Sequence, residues 1–354
     1  MNIAFDISPL QSGHFLQHRV RGTGFYTENL KRSFLKYFPE HHYTFFAREE
    51  MLPQNIDVVH YPYFEPFFLT IPFQKKYRSV VTVHDLTPLV FPGYFPPGIK
   101  GNLKWQIQKM SLKRMDAIIT DSESSKKDII HFTGISEKKV HTVYLAAGEQ
   151  FKKVQSSKFK AQNLREKYHL PEGFALYVGD ITWNKNLPRL IQAIKKTDIP
   201  LILVGKAIRE KNFDITNLWN QDRVKIQKLI EQDKGRQIHC IGFVPDEDLV
   251  LLYNMATVFV MPSLYEGFGL PILEAMQCGC PVVTTKEGSL AEVGGNAPFY
   301  VDGYASDNIA SGIQKIFSNK TLQQELSEKG LARAKEFSWE KTAKETMEVY
   351  NAIL

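Results

Sequence analysis

Short apolar runs of strand length alternate with segments of helical spacing, and this alternation occurs twice along the 354 residues. In the first half, residues 2–7, 43–46, 58–61, 80–84 and 117–120 read as strands, with helical spacing over 26–37, 100–115 and 123–132. In the second half, strands are expected at 175–178, 201–204, 238–241, 258–261 and 282–284, with 298–301 as an edge. Strands separated by helices in this way predict parallel sheets covered on both faces, so the chain is α/β with two Rossmann-like halves. The polar, lysine-rich segment 152–167 has no strand pattern and marks the linker. The expected domains are residues 1–165 and 166–337. Residues 338–354 form a final helix: Ser338 can cap it, and Trp339, Thr342, Met347, Val349 and Tyr350 supply its apolar positions.

A hydrophobic content of 43% is enough for an ordinary core in each half. No apolar stretch approaches the roughly 20 residues of a membrane-spanning helix. The first residues enter a strand directly without the regions of a signal peptide, so a cytoplasmic location is expected. Cys240, Cys278 and Cys280 cannot all pair and match no standard zinc spacing, which leaves them as reduced apolar fillers. Charge is uneven: residues 1–170 hold 24 Lys/Arg against 15 Asp/Glu, whereas 171–354 hold 20 against 23. The basic first half suits an anionic partner.

The most informative stretch runs from Ser263 to Thr285, where Glu266 and Glu274 stand eight positions apart, one on a Gly-rich turn and one in the helix it opens. Pro271 fits the first helical position, where its missing N–H costs nothing. Glycines 267 and 269 let backbone approach closely, and the amides of Phe268, Gly269 and Leu270 would face outward at the positive end of the helix dipole, a setting for phosphate. A ligand with phosphate in the middle and hydroxyls at both ends fits this arrangement. Taken singly, Glu266 reads as a loop carboxylate and Glu274 as an exposed first-turn helix acid. The flanking strands make the unit βαβ, and ligands of open α/β sheets bind where such a turn lies.

With its Glu-Gly-Phe-Gly-Leu-Pro core and paired glutamates, the chain resembles glycosyltransferase family 4, the retaining nucleotide-sugar transferases of the GT-B fold. The resemblance extends over nearly the whole chain. It implies two Rossmann-like domains whose parallel sheets face a central cleft, the acceptor held mostly by the first and the donor by the second, with the last helix crossing back onto the first domain. It also assigns roles. Glu274 would bind ribose hydroxyls, and Glu266 sugar hydroxyls near the anomeric carbon.

Five further motifs gain meaning from this likeness. Gly22-Thr-Gly24 precedes a helix, and its glycines permit unusual φ values; alone it is equally a flexible loop tip, but the family's matching loop approaches the donor diphosphate, so Gly22, Thr23 and Gly24 inherit that role. His84 ends a strand and would reach a donor-sugar hydroxyl, with Asp85 either orienting it or capping the next turn. Gly179, Asn184 and Lys185 close the first strand of the second half, and Lys185 would stabilise charge on the departing diphosphate. Relatives usually carry an arginine in this turn, where this chain has Asp180 and Asn184; either Arg19 or Arg21 supplies the missing charge, or phosphate is bound more weakly than in the relatives. Val244 main-chain atoms would meet the nucleobase, with Asp246 capping the following helix. The turn at Glu287-Gly-Ser289 supports the pocket from behind.

The implied reaction is hexose transfer from a nucleotide diphosphate sugar to a glycan or lipid-linked hydroxyl in surface polysaccharide or lipopolysaccharide synthesis. Residues 84–92 resemble mannosyltransferases of surface polysaccharides, favouring GDP-mannose. No cofactor or metal is needed on this scheme, since lysine and helix termini do a divalent ion's work. The aromatic run 61–73, leading into Lys75, Lys76 and Arg78, and the lysines between 100 and 113 suggest peripheral contact with an anionic membrane. No nucleic-acid-binding module is recognised. The competing readings are a nucleotide-sugar-binding subunit without turnover, and another GT-B enzyme such as an epimerase or a glycoside phosphorylase.

Overall fold

A computed structural model describes residues 1–11, 22–48, 50–154, 158–210, 212–233 and 237–354, without the side chains of 158 and 159. The chain divides into two compact units, residues 1–146 with 337–354 and residues 147–336. Arg19 and Arg21 lie outside the described residues.

The first unit is built on β1 (Asn2–Asp6), β2 (His42–Phe46), β3 (Val58–Tyr61), β4 (Arg78–Thr82), β5 (Ala117–Thr120) and β6 (Val140–Thr142). They form one parallel sheet in the order β2-β1-β3-β4-β5-β6. Its helices are α1 (Thr23–Tyr37), α2 (Thr87–Val90), α3 (Gly98–Arg114) and α4 (Glu123–Thr133). The central strands read as buried β-branched runs because both sheet faces are covered; Val58, Val59, Val80 and Val81 are fully buried. Helix α1 starts at Thr23 rather than at residue 26, so the glycine turn is itself the helix start. The strand expected to reach His84 ends at Thr82.

The second unit opens with α5 (Lys158–Tyr168), so the polar segment read as a linker is partly helical and belongs to this unit. Then come β7 (Ala175–Val178), α6 (Leu187–Ile194), β8 (Leu201–Val204), α7 (Lys206–Arg209), α8 (Gln221–Glu231), β9 (Ile238–Gly242) and α9 (Asp246–Met255). The series ends with β10 (Val258–Met261), α10 (Leu270–Gln277), β11 (Val282–Thr284), α11 (Leu290–Gly294), β12 (Phe299–Tyr300), α12 (Ser306–Phe317) and α13 (Lys320–Ala334). The sheet is parallel in the order β12-β11-β10-β7-β8-β9, with β12 at the edge. Leu190, Ile191 and Ile194 of α6 and Ile309 and Ile313 of α12 pack with Tyr177, Leu203 and Val260 in one core. Truncating any of these isoleucines or leucines to alanine costs about 2–5 kcal/mol.

Two expected caps differ. Pro245, not Asp246, occupies the N-cap of α9, leaving Asp246 as the first helical residue, where it accepts a hydrogen bond from Gln150. Pro271 is the second residue of α10, since Leu270 already has helical geometry. The cysteines are free, and burial pushes the Cys240 thiol up to about 11 and Cys278 to about 12, which keeps them unreactive.

The last helix, α14 (Trp339–Ala352), returns to the first unit. Ser338 caps it by accepting from the Lys341 amide at 3.1 Å. Its buried face includes Trp339, Met347 and Tyr350, and the Tyr350 hydroxyl meets His60 Nδ1 at 2.6 Å. No helix among the described residues is long and apolar enough to cross a membrane.

Candidate functional site

In the second sheet β7 and β10 are neighbours although β8 and β9 lie between them in the chain, so the strand order reverses between them. Loops leaving the carboxyl ends of such strands diverge and leave a crevice for ligands. The loop after β7 carries Lys185, and the loop after β10 carries Glu266.

Side chains lace these two loops together. Asn184 donates to the Tyr265 carbonyl at 3.0 Å and its own carbonyl accepts from the Leu264 amide at 2.7 Å. Asn186, in the left-handed region at φ 58°, donates to the Pro262 and Gly303 carbonyls. Lys185 Nζ then lies 2.8 and 2.7 Å from the two carboxylate oxygens of Glu266. Glu266 is only 7% exposed, and Glu274 8%, so neither is a surface acid. Asn184, expected on the donor, spends its amide on holding the site together.

The turn at Glu287-Gly-Ser289 props the Glu266 loop from below. Ser289 Oγ donates to the carbonyls of Glu266 at 3.0 Å and Phe268 at 2.8 Å. Gly288 has φ +59°, and a Cβ there would stand 2.7 Å from the Glu266 carbonyl oxygen. Gly269, at φ +98°, is the N-cap of α10, which no side chain caps. Phe268, Gly269 and Leu270 therefore bring main chain to the start of this helix.

Glu274, on α10, accepts a 2.9 Å hydrogen bond from the Tyr253 hydroxyl of α9. Tyr253 is fully buried and held edge-on by Phe151 and Phe259. Gly179 ends β7 and is half-buried; a Cβ on neighbouring Gly205 would come within 2.1 Å of its carbonyl oxygen, so the chain crosses tightly here. Val244 follows β9 and its side chain is buried. A cavity of about 530 Å³ opens at the other end of this sheet, beside Lys153, Thr257, Pro281 and Ser327, and touches none of the candidate residues.

The first unit presents its own group at the carboxyl ends of β3, β4 and β5. Gly22 is exposed at the start of α1 with φ 91°, followed by Thr23 and the buried Gly24. His84 Nδ1 lies 2.7 Å from Asp121 Oδ2. Asp85, the residue expected to orient His84 or cap the turn, takes the capping role, accepting from the Thr87 amide at 2.8 Å. Burial alone would lower the His84 pKa, but the carboxylates of Asp121 and Asp85 outweigh it and the net shift is upward. Glu65, after β3, is pushed up to about 7 by burial and by Asp85.

Sequence reasoning missed Asp121, Tyr253 and Asn186, whereas the supporting role expected of the turn at Ser289 was read from the sequence. An acid directly after the apolar run Ala117–Thr120 was the one available signal for Asp121. Among the described residues no group of three or more His, Cys, Asp or Glu is placed to hold a metal ion.

Two family models match the chain: Glycosyltransferase Family 4 over residues 8–146 and Glycosyl transferases group 1 over 159–333. The O-antigen chain mannosyltransferase B of Escherichia coli is 34% identical over 286 residues, covering 78% of this chain and 71% of that protein. The serotype-specific mannosyltransferase WbdA of Escherichia coli is 31% identical over 298 residues, 82% of this chain but 35% of WbdA, so this chain spans about a third of that protein's length. Among solved structures, sucrose-phosphate synthase from Thermosynechococcus elongatus superposes with TM-score 0.74 at 18% identity, covering 99% of this chain and 98% of that one. HepE of Anabaena superposes with TM-score 0.71 at 16% identity over 99% of both chains. These likenesses establish the fold, GT-B, while the sequence matches establish descent: the chain belongs to glycosyltransferase family 4.

Proposed function

We propose that this glycosyltransferase moves a mannosyl group from a nucleotide diphosphate sugar to a hydroxyl of a glycan or lipid-linked acceptor, with the anomeric configuration retained. The observation that carries the reading is the contact of Lys185 with Glu266 at the strand-order reversal of the second unit, with Glu274 held by Tyr253. A cation and a hydroxyl-binding carboxylate stand together where an α/β sheet binds ligands. Mannose is favoured because similar proteins are named mannosyltransferases, among them the O-antigen enzyme of Escherichia coli. A nucleotide-sugar donor is supported by HepE, which was crystallised with UDP-glucose.

Each residue then has a task. Glu274 accepts from the ribose hydroxyls and Glu266 from sugar hydroxyls near the anomeric carbon, while His84 donates to a sugar hydroxyl. Lys185, the main chain at Phe268, Gly269 and Leu270, and the Gly22-Thr23-Gly24 turn stabilise negative charge that builds on the leaving diphosphate. Gly179 and Val244 shape the donor cradle. Such stabilisation accelerates the reaction only insofar as it grows toward the transition state, which charge development on the leaving oxygen ensures. The scheme requires no metal ion.

The acceptor side rests on a second observation. Residues 66–115 hold eight Lys/Arg and a single acid, Asp85. In this region Phe68, Leu69, Phe73, Leu103 and Met110 are exposed, and Ile99 is 90% exposed. Lys104 and Arg114 lie over the rings of Phe68 and Phe73. Apolar side chains interleaved with cations suit the headgroup layer of an anionic membrane, where a lipid-linked acceptor is reached from the cytoplasmic side.

The test is a melting-temperature screen with GDP, UDP and their sugars, followed by transfer assays with the nucleotide that binds. Binding raises the midpoint as ligand concentration exceeds its dissociation constant. GDP-mannose is expected to give the largest rise, and Glu266→Ala to abolish transfer. Binding without transfer to any acceptor would instead identify a subunit that holds the nucleotide sugar.

A further inference from the structure

We propose that Asp121 is a positioning residue for His84, fixing the imidazole as a cation whose Nε2–H is offered to an oxygen of the bound donor. The idea rests on the reading of the site as one for sugar transfer. Its geometry comes from the sheet. Val81 and Thr82 of β4 pair with Ile118 and Ile119 of β5, and the Val83 amide continues the ladder to the Ile119 carbonyl at 2.9 Å. Extending this register by two residues places His84 directly beside Asp121, where the 2.7 Å hydrogen bond forms. An ionised carboxylate only accepts, so Nδ1 carries the proton and Nε2 is the ring atom left for a ligand.

That atom is buried and makes no hydrogen bond of proper geometry among the described residues, and neither does Asp121 Oδ1. Buried polar atoms in native proteins normally find partners, so each such atom asks for an explanation. The ring is also held from its other side. Tyr26 of α1 meets it edge-to-face at 4.8 Å, the Tyr26 hydroxyl is 2.9 Å from Thr82 Oγ1, Thr82 Oγ1 is 2.7 Å from His60 Nε2, and His60 Nδ1 reaches Tyr350 on α14. An imidazole clamped by a carboxylate and by an anchored aromatic ring has little freedom to turn Nε2 elsewhere.

The groups facing His84 set its charge. Asp121 from β5, Asp85 beside it and Glu65 from the β3 loop are acidic, and the Pro62 carbonyl, although outside hydrogen-bond geometry, also favours the charged ring. His60 is held neutral by burial, its pKa lowered to about 3, and Tyr26 stays protonated because burial raises it. A cationic donor strengthens its hydrogen bond as the ligand oxygen gains negative charge, whether that oxygen is a sugar hydroxyl or belongs to phosphate.

Asp121→Asn keeps the shape and removes the charge. In the unliganded protein, NMR titration of the His84 ring should show its midpoint fall by roughly 1–3 pH units. With GDP-mannose as donor, kcat at pH 8 should fall by roughly 10–100-fold, the range of one charge-assisted hydrogen bond. The loss should shrink at lower pH, because the rate declines as pH rises through the His84 midpoint and that decline starts earlier in the variant. Asp121→Glu should restore part of both. Weaker binding of GDP-mannose with unchanged binding of GDP places the contact on the sugar; equal weakening places it on phosphate, and either supports the proposal. An unchanged His84 midpoint, or a loss of rate equal at every pH, would overturn it. If the wild-type protein transfers no mannose, the function proposed above fails while the His84 titration still decides this inference.

Discussion

Lys185 Nζ touches both carboxylate oxygens of Glu266, at 2.8 and 2.7 Å, and so bridges, across 81 positions of chain, two loops that follow neighbouring strands. The pair is partly screened by water, with the lysine side chain 21% exposed, so its worth to stability is modest. Its functional weight should be larger. On the proposed mechanism Lys185→Ala removes the cation assigned to the leaving group, and kcat should drop by about 10²–10³-fold, the usual effect of deleting one preorganised donor. The double variant with Glu266→Gln should lose much less than the product of the two single losses, because each residue positions the other. Fully multiplicative losses would show that the two act separately.

Tyr253→Phe tests whether the buried hydroxyl matters to the nucleotide end of the site. The ring keeps its packing against Phe151 and Phe259, while the 2.9 Å bond to Glu274 is lost. Calorimetric titration with the preferred nucleotide should show affinity weakened by roughly fivefold, near 1 kcal/mol for one hydrogen bond, while kcat changes little. A loss in kcat at constant affinity would move Glu274 from ribose binding to the reacting end.

Gly288→Ala should be more damaging than its size suggests. The left-handed φ of +59° costs a non-glycine residue about 1–2 kcal/mol, and the new methyl would collide with the Glu266 backbone at 2.7 Å. The Glu266 carboxylate must shift in response, and displacement near 1 Å at a reacting centre costs about 100-fold in rate. Gly134→Ala, at the end of α4, is the control: its left-handed φ of +70° is comparably unfavourable, but a Cβ there meets nothing within 4 Å. Both should lower the melting temperature, and Gly288→Ala alone should lose most activity without heavier unfolding.

What was legible in the sequence follows from distance along the chain. Glu266 and Glu274 share one βαβ unit, so their spacing could be read directly. His84 and Asp121 are 37 positions apart and meet only because β4 and β5 are neighbours, a fact of topology that local pattern does not contain. Asp85 was the attractive partner for His84 because it is adjacent, yet successive residues leaving a strand point to opposite sides. β6 escaped notice because Val140–Thr142 is only three residues long with one apolar member, and α5 because its exposed, lysine-rich face leaves few apolar positions to mark a period.

Two buried groups of the first unit give pH effects of opposite sign. The Glu65 pKa rises from 4.5 to about 7 through burial and the nearby Asp85. The folded state therefore binds more protons than the unfolded one between these values, and Glu65 adds stability as pH falls from 7 to 4.5. His60 falls from 6.5 to about 3 through burial, so the unfolded state binds more protons in that window and stability is lost as pH falls. Each slope is at most about 1.4 kcal/mol per pH unit, and the two nearly cancel between pH 6.5 and 4.5. Glu65→Gln should expose the His60 slope, giving denaturant midpoints that fall steadily below pH 6.5. His60→Asn should expose the opposite one. Parallel curves for both variants and the wild type would show that neither group titrates as its surroundings require.

The exposed face of α3 gives the remaining expectation. Ile99, Leu103 and Met110 are exposed beside Lys100 and Lys113, on a helix whose other side, at Trp105, Gln108 and Leu112, is buried in the first unit. If this face rests on a membrane, sedimentation with phosphatidylglycerol vesicles should exceed that with phosphatidylcholine and weaken as salt shortens the screening length to a few ångströms. Lys100→Glu with Lys113→Glu should cut anionic binding by about 1 kcal/mol or more per lysine. Ile99→Ser with Leu103→Ser should reduce binding at every salt concentration, because the apolar contribution is not screened. Transfer to a soluble acceptor should survive in both variants, whereas transfer to a lipid-linked acceptor in vesicles should fall with binding. Equal sedimentation with both lipids would remove the membrane from the account and leave the face to a protein partner.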